Sequence, residues 1–317
     1  MGDDMPAAQT ATFHGIAVLG QAGSDMRRQQ RLFFAATVFP AIAVIGFVIV
    51  APLVIGITYS FTNLSLIEGT DSFVGLANYR HLLANPTFYQ SLWNTLFLGV
   101  SPVIGGFLIG FGQALLLNEA VVGRSVLRGL TLLPWVIPQI VVSFLFLFMY
   151  NSSVGVVNVL FTDLGLTRHF IPWLAKPGTA PPAVAIAYVW TEAPFFMLML
   201  LAGLQTIPPE LIEAARVDGA GWWQRLRHIV LPSIRRIIAI STILMVIWNF
   251  NNFTIIWPLT QGGPINATLT FAVWVYRQAF QNFDLGTAST IGVAWLVLLL
   301  VVTFLYLRVV GGEETAA

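Results

Sequence analysis

A few polar side chains lie inside stretches of sequence that are otherwise apolar. Glu192 is the single acidic residue of these stretches, Asn249, Asn251 and Asn252 cluster further along the chain, and Gln139 follows a proline. Carboxyl and amide groups can donate hydrogen bonds to hydroxyl groups and accept them in return. Inside a membrane such groups are costly, so each needs a partner or a task. Two interpretations stay open: the groups bind a polar solute, or they hydrogen-bond between helices.

The sequence offers no recognisable catalytic constellation. A phosphate-binding loop needs a glycine-rich turn that ends in Gly-Lys-Ser/Thr, whereas the only lysine, Lys176, lies between Ala175 and Pro177. The histidines show no metal-ligand spacing, cysteine is absent, and there is no Gly-x-Ser-x-Gly elbow. We therefore predict a chain that is not an enzyme and that binds no metal or cofactor. Any ATP chemistry must belong to a partner.

The elements that must position the polar residues are membrane spans. Only 9% of the residues are charged and the mean hydropathy is +0.80, which excludes an ordinary soluble domain. Apolar runs of about 20 residues are long enough to cross a bilayer core. They predict an all-α polytopic membrane protein with about six transmembrane helices. The predicted spans are Leu32–Ser60, Leu92–Leu117, Leu127–Tyr150, Ala183–Ile207, Ile234–Trp257 and Leu285–Leu307.

Basic residues are distributed unequally between the two sides that these spans define. Eleven of the fifteen lie on one side, including Arg27, Arg216 and Arg308, and four lie on the other. Positive charge favours the cytoplasmic side of a membrane protein. The sequence therefore predicts cytoplasmic termini and a multi-pass topology. We assign residues 1–31 to an N-terminal tail, 32–310 to the transmembrane domain with a cytoplasmic loop at 208–232, and 311–317 to a C-terminal tail.

The segment from Glu213 to Pro232 is polar, although it separates two apolar spans. It begins Glu213-Ala214-Ala215-Arg216-Val217-Asp218-Gly219-Ala220 and ends Ile229-Val230-Leu231-Pro232. Pro208-Pro209 can open a short helix, and Asp218-Gly219 favours a turn because glycine tolerates positive φ. Its small residues would let a partner surface approach closely.

This pattern resembles the cytoplasmic coupling loop in the membrane subunits of bacterial ATP-binding-cassette (ABC) importers. The resemblance covers essentially the whole chain after the N-terminal tail. It points to one half of the permease pair of carbohydrate importers, the half similar to the larger membrane subunit of the maltose transporter. Compared with that subunit, we expect a simpler, six-helix member without the large outer domain and the extra N-terminal helices. The matching stretches are Phe73–Tyr79, Leu132–Pro138, Leu201–Pro208, Asn249–Phe253, Leu259–Pro264 and Phe280–Gly286.

The resemblance implies a type I ABC importer (MetI-like) permease fold in the bacterial cytoplasmic (inner) membrane. It implies a paralogous permease, two ATPase subunits that hold ATP and magnesium, an extracytoplasmic sugar-binding protein, a sugar solute and membrane lipid as partners. Nucleic acid is not among them. The residues that would transmit nucleotide-driven closure are Glu213, Ala214, Ala215, Asp218 and Gly219.

The same resemblance places a sugar site within the spans. The aligned stretches put seven residues at site positions: Trp135, Gln139, Tyr188, Thr191, Glu192, Asn249 and Asn252. Carboxyl, amide and aromatic groups suit the hydroxyls and C–H faces of sugars. Several of these residues differ from the maltose pattern, so we expect a different sugar. The alternatives are interhelical hydrogen bonds for the asparagines and capping of Glu192 by a partner-subunit residue.

Other functions remain as alternatives. A polyol or glycerol 3-phosphate-type solute is one, although a carboxyl group in the site argues against an anion, which favours an arginine clamp. An ion-coupled secondary transporter would show internal repeats with broken helices and several buried acids, whereas the sequence shows no repeat and one acid. A membrane-embedded enzyme is disfavoured because no catalytic constellation is present.

Overall fold

The computed structural model describes residues 33–34, 36–119 and 122–311. Within these ranges the regular elements are helices, accompanied by isolated bridges in the loops. The predicted all-α class is therefore confirmed. The N-terminal tail, and the C-terminal tail beyond Gly311, lie outside the described residues.

The helices are labelled here in chain order. They are α1 Ala36–Tyr59, α2 Ala77–Ala84, α3 Pro86–Asn118, α4 Arg124–Val136, α5 Gln139–Met149, α6 Val156–Asp163, α7 Ala180–Leu204, α8 Pro209–Val217, α9 Trp222–Ser233, α10 Arg235–Phe250, α11 Ile256–Thr260, α12 Phe271–Tyr276 and α13 Leu285–Gly311.

Four of the described helices, α1, α3, α7 and α13, are individually long and apolar enough to cross a bilayer. Two pairs, α4–α5 and α9–α10, meet the same criterion only together, and they are bent by 92° and 68°. With each pair counted as one span, the described residues contain the six spans predicted from the sequence. The third and fifth of these are broken.

The third span breaks at Pro138. A proline ring disfavours helical conformation in the residue before it, and Ile137 is extended, with φ −70° and ψ 130°. Helix α5 then starts at Gln139, which places this amide at the first turn of a new helix. The fifth span differs from its predicted bounds too. Helix α10 ends at Phe250 rather than Trp257, so Asn252 lies beyond the helix.

Close packing joins α3 to α7. A methyl group added at Gly110 would lie 2.5 Å from the carbonyl oxygen of Ala193, and one added at Gly105 would lie 2.6 Å from the side chain of Val189. Small residues let helix backbones approach closely in membranes. Glycines of α3 therefore form the face that contacts α7.

Helix α7 contributes to two apolar cores. Near its start Tyr188 packs in a cluster that includes Phe146 of α5, and nearer its end Phe196 packs in a second cluster with Phe250 of α10. Glu192 lies on α7 between these two stretches. Apolar packing on both sides of Glu192 along the chain thus holds α7 in place.

Candidate solute site and coupling segment

Five of the seven predicted solute-binding residues line one cavity of about 370 Å³. The break between α4 and α5 forms one wall, and α7 and α10 form the others. The rest of the lining is mainly proline, aliphatic, methionine and tryptophan side chains. The five residues are Trp135, Gln139, Thr191, Glu192 and Asn249.

The Glu192 carboxyl group is buried in the wall of this cavity without a hydrogen bond. The residue is 5% exposed, and neither carboxyl oxygen has a partner among the described residues. The side-chain amide of Asn249 lies beside the carboxyl group, close enough to interact with it, although its Nδ2 makes no contact of full hydrogen-bond geometry. Buried polar groups are normally hydrogen-bonded, and an exception needs an explanation such as water, an ion or a functional role. No cluster of three or more metal-ligating side chains occurs in the part of the chain that the structure describes.

Contact with α3 holds Glu192 at this depth. A methyl group added at Gly106 would lie 3.3 Å from the Glu192 Cβ and equally close to the Phe196 ring. Because a glycine occupies the facing position, α7 can lie close to α3 at the level of Glu192.

A side-chain hydrogen bond links the start of α5 to the segment after α10. The Asn252 Nδ2 donates to the Gln139 Oε1 over 3.2 Å. Both residues line a second cavity of about 400 Å³. Asn252 therefore faces the second cavity, whereas Gln139 lines both.

Tyr188 does not join the other predicted site residues. It is fully buried and lines neither cavity. Its hydroxyl donates to the backbone carbonyl oxygen of Asn252 over 3.4 Å. Direct contact between Tyr188 and a solute, as predicted from the resemblance, is not supported by this position. The residue instead supports the segment that carries Asn252.

Trp248 lines both cavities and was not predicted from the sequence. Trp248 is 55% exposed, and it contributes to the lining of each cavity. The available signal was its position directly before Asn249. Adjacent helical residues point about 100° apart, so an amide that faces a cavity does not by itself place its neighbour there. The indole is large enough to reach the cavity edge from that direction.

The predicted short helix and turn of the coupling segment are present. Helix α8 begins at Pro209, follows an extended Pro208 and is capped by Asp218. Gly219 adopts φ +81°. The Ala220 N–H donates to the Ala215 carbonyl oxygen over 2.9 Å, and the Gly219 N–H donates to the Arg216 carbonyl oxygen over 3.1 Å. This pair of bonds is the Schellman ending, which requires a left-handed residue.

Much of this segment is accessible. Glu213, Ala214, Asp218 and Gly219 are exposed, and Ala215 is half-buried. A cavity of about 570 Å³, lined in part by Glu213, separates α8 from the ends of α3 and α7. The surface is thus available to a partner, and the coupling role of these residues stays a prediction.

A helical membrane bundle with a cavity that gathers several polar side chains, and an exposed short helix in a polar loop, is typical of the membrane component of a solute transporter. The chain belongs to the family of binding-protein-dependent transport system inner membrane components, whose pattern matches residues 103–311. It is therefore an ABC transporter permease of the inner membrane. The matched range includes every residue predicted for the solute site and the coupling segment.

The relatives of the chain agree with this assignment. It is 38% identical over 237 residues to the trehalose/maltose transport system permease protein of Thermococcus litoralis, covering 75% of this chain and 79% of that one. It is 34% identical over 285 residues to the sulfoquinovosyl glycerol transport system permease protein of Agrobacterium fabrum, covering 90% and 92%. Its fold is similar to a chain of a bacterial ABC transporter involved in import of the acidic polysaccharide alginate, with a TM-score of 0.78, 25% identity and coverage of 92% and 98%. The predicted permease fold is thereby confirmed.

Proposed function

We propose that this chain is the membrane-spanning subunit of an ATP-driven sugar importer, forms half of the translocation pathway and contributes sugar-binding groups. The observation that carries the proposal is the gathering of polar residues from three separated parts of the chain around one cavity. An apolar bundle tolerates a carboxyl group and an amide without partners where a solute can use them.

The composition of the cavity favours a carbohydrate. Trp135 and Trp248 line the cavity and are 45% and 55% exposed, and indole rings can pack against the C–H surface of a sugar. Gln139, Glu192 and Asn249 supply donors and acceptors for hydroxyl groups. The named solutes of the relatives, which include trehalose, maltose and alginate, support the same class.

A neutral polyol would use the same hydroxyl-binding groups and remains an alternative solute. A phosphorylated solute such as glycerol 3-phosphate is less well matched, because no arginine, lysine or histidine is among the described residues that line the cavity. Phosphate recognition favours bidentate arginine contacts. The two bent spans resemble the broken helices of secondary transporters, but membership of the binding-protein-dependent family favours ATP-driven transport.

Energy would come from partners. Two ATPase subunits, which hold ATP and magnesium, dock on the loop at 208–232 through Glu213, Ala214, Ala215, Asp218 and Gly219. The exposed α8 and its glycine turn support this role. The distribution of basic residues supports placing this loop and both termini in the cytoplasm. A paralogous permease completes the pathway, and an extracytoplasmic binding protein delivers the sugar.

Purification of the tagged chain from its native membrane tests the proposal. We expect an ATPase and a second permease to co-purify with it. In proteoliposomes that contain this complex and its binding protein, at least one member of a panel of monosaccharides, disaccharides and polyols should stimulate ATP hydrolysis several-fold. A chain that purifies without an ATPase, or a complex that no member of the panel stimulates, would contradict it.

A further inference from the structure

We propose that four aromatic side chains form a sugar-binding path that leads the solute from the outer surface to the second cavity. The four are Phe253, Trp257, Tyr276 and Phe280. This inference rests on the proposed function, because it takes the transported solute to be a sugar or polyol. It adds a binding site to that function, separate from the cavity that Glu192 lines.

The four rings form an unbroken row. The ring centroids of Phe253 and Trp257 are 5.3 Å apart, and those of Trp257 and Tyr276 are 4.6 Å apart. Phe280 extends the row from Tyr276 over 5.2 Å. The rings come from two parts of the chain, the segment around α11 and the end of α12 with the turn that follows it. Each ring therefore contacts the next, and a solute that leaves one ring meets another.

One end of the row lies beside the candidate solute site and the other end lies at the surface. Phe253 stands between Asn252 and Thr254, which both line the second cavity. Phe280 is 65% exposed. It belongs to the segment between the fifth and the last span, which the predicted topology places on the side opposite the cytoplasmic loop. The row thus connects the outer surface with the second cavity.

Two polar groups of the row are accessible and have no partner. The Tyr276 hydroxyl and the Trp257 indole N–H make no hydrogen bond within the described part of the chain, and neither is buried, in contrast to the unpartnered Trp295 Nε1. A buried hydroxyl or indole N–H usually takes a protein partner. These two groups instead remain available to the hydroxyl groups of a solute.

A row of aromatic rings suits a sugar that has to move. Rings pack against the C–H surfaces of sugars, and each such contact is weak. Passage needs binding that is favourable enough for entry and weak enough, over several sites, for departure. Phe253 and Trp257 also pack against the apolar core, so the protein holds their rings in place before the solute arrives. Anchoring at the membrane interface is the other common use of such residues, and the tests separate the two.

The first test measures uptake by the heteromeric complex in proteoliposomes that contain its binding protein and the sugar identified in the panel experiment. We expect Phe280→Leu and Tyr276→Phe each to lower kcat/KM for uptake by about 3- to 10-fold, the effect of one aromatic contact or one hydrogen bond. Phe280→Tyr keeps the ring and should retain the wild-type value. Phe161→Leu is the matched control, because Phe161 contacts Trp173 over 5.1 Å in a separate aromatic group.

The second test detects contact directly and does not depend on transport. The complex without its binding protein is labelled with fluorotryptophan, and the fluorine resonance of Trp257 is assigned from its absence in Trp257→Phe. The resonance of Trp173 is assigned in the same way from Trp173→Phe. We expect the sugar, at millimolar concentration, to shift the Trp257 resonance and to leave that of Trp173 unchanged.

Wild-type uptake in both Phe280→Leu and Tyr276→Phe, or a Trp257 resonance that the sugar does not shift, overturns the proposal. A loss of uptake in Phe280→Leu that comes entirely from weaker affinity for the binding protein also overturns it, since that surface would then be a protein contact. Phe280 is exposed and Tyr276→Phe removes a single hydroxyl, so we expect both variants to fold. If no panel member stimulates the ATPase, the proposed function fails. If a sugar stimulates the ATPase while the Trp257 resonance stays fixed, the aromatic path alone fails.

Discussion

The side chains of Asn252 and Gln139 are joined by a 3.2 Å hydrogen bond although 113 positions separate them in the sequence. Gln139 stands at the first turn of α5 and Asn252 follows the end of α10. The bond therefore joins the break in the third span to the segment that follows the fifth span, and both residues line the second cavity.

We expect Gln139 and Asn252 to act together in solute binding. We expect Gln139→Leu and Asn252→Leu each to weaken sugar stimulation of the ATPase by about 10-fold in half-saturating concentration, because removing one partner strands the other. The double variant should cost little more than either single one. Asn282→Leu is the control, since it removes an exposed amide–amide bond to Gln278 outside the cavity. Strictly additive effects would contradict the link.

The helix contact between α3 and α7 predicts a sharp difference between two nearby glycines. A methyl group at Gly110 would lie 2.5 Å from the Ala193 carbonyl oxygen and 2.8 Å from the Met197 nitrogen, whereas no described atom lies within 4 Å of one at Gly112. Backbone atoms cannot yield as a flexible side chain can. Gly110→Ala should destabilise the protein by about 1–3 kcal/mol, and Gly112→Ala should be neutral or slightly stabilising. Thermal unfolding of both variants in the same detergent provides the measurement.

We expect coupling to require Gly219 for two reasons: its backbone is left-handed, and its exposed surface would allow a partner to approach closely. Its φ of +81° disfavours branched side chains, but no described atom of this chain would collide with an added Cβ. Gly219→Val should thus preserve ATP hydrolysis and lower the sugar transported per ATP by at least 10-fold. Gly219→Asn, which tolerates the left-handed conformation, separates the two causes. If Gly219→Asn transports normally, the requirement at this position is the left-handed backbone. If Gly219→Asn fails to transport, the requirement is close contact with a partner. A Gly219→Val complex with normal uptake would remove the residue from the coupling role.

The two exposed indoles at the cavity should contribute to sugar affinity. Trp248→Leu and Trp135→Leu should each raise the half-saturating sugar concentration by roughly 3- to 10-fold, the amount expected from about 0.5–1.5 kcal/mol of aromatic contact. Trp93→Leu alters an exposed tryptophan of α3 that lines neither cavity and should leave that concentration unchanged. Quenching of intrinsic tryptophan fluorescence by sugar should decrease in the first two variants alone. If Trp248→Leu keeps the wild-type half-saturating concentration and fluorescence quenching, Trp248 does not contact the solute.

Much of the candidate site was accessible from the sequence. A single acid, three clustered asparagines and Gln139 are conspicuous in apolar spans because polar groups are costly inside a membrane, and the structure brings Gln139, Glu192 and Asn249 to one cavity. Resemblance to the maltose-type subunit added Trp135 and Thr191, which line the same cavity. It also added Tyr188, whose buried position excludes it from the cavity walls.

The sequence by itself determined the helical membrane class, the predicted spans and the short helix α8 with its glycine turn, since these depend on local properties: apolar run length, proline placement and a glycine that can adopt positive φ. Only the tertiary structure decided which polar groups meet and which stay unpaired. The inclusion of Trp248, the exclusion of Tyr188 and the depth of Glu192 against Gly106 all depend on how α3, α7 and α10 approach one another. Helix approach is set by interlocking side chains from distant parts of the chain, and no local pattern encodes that geometry.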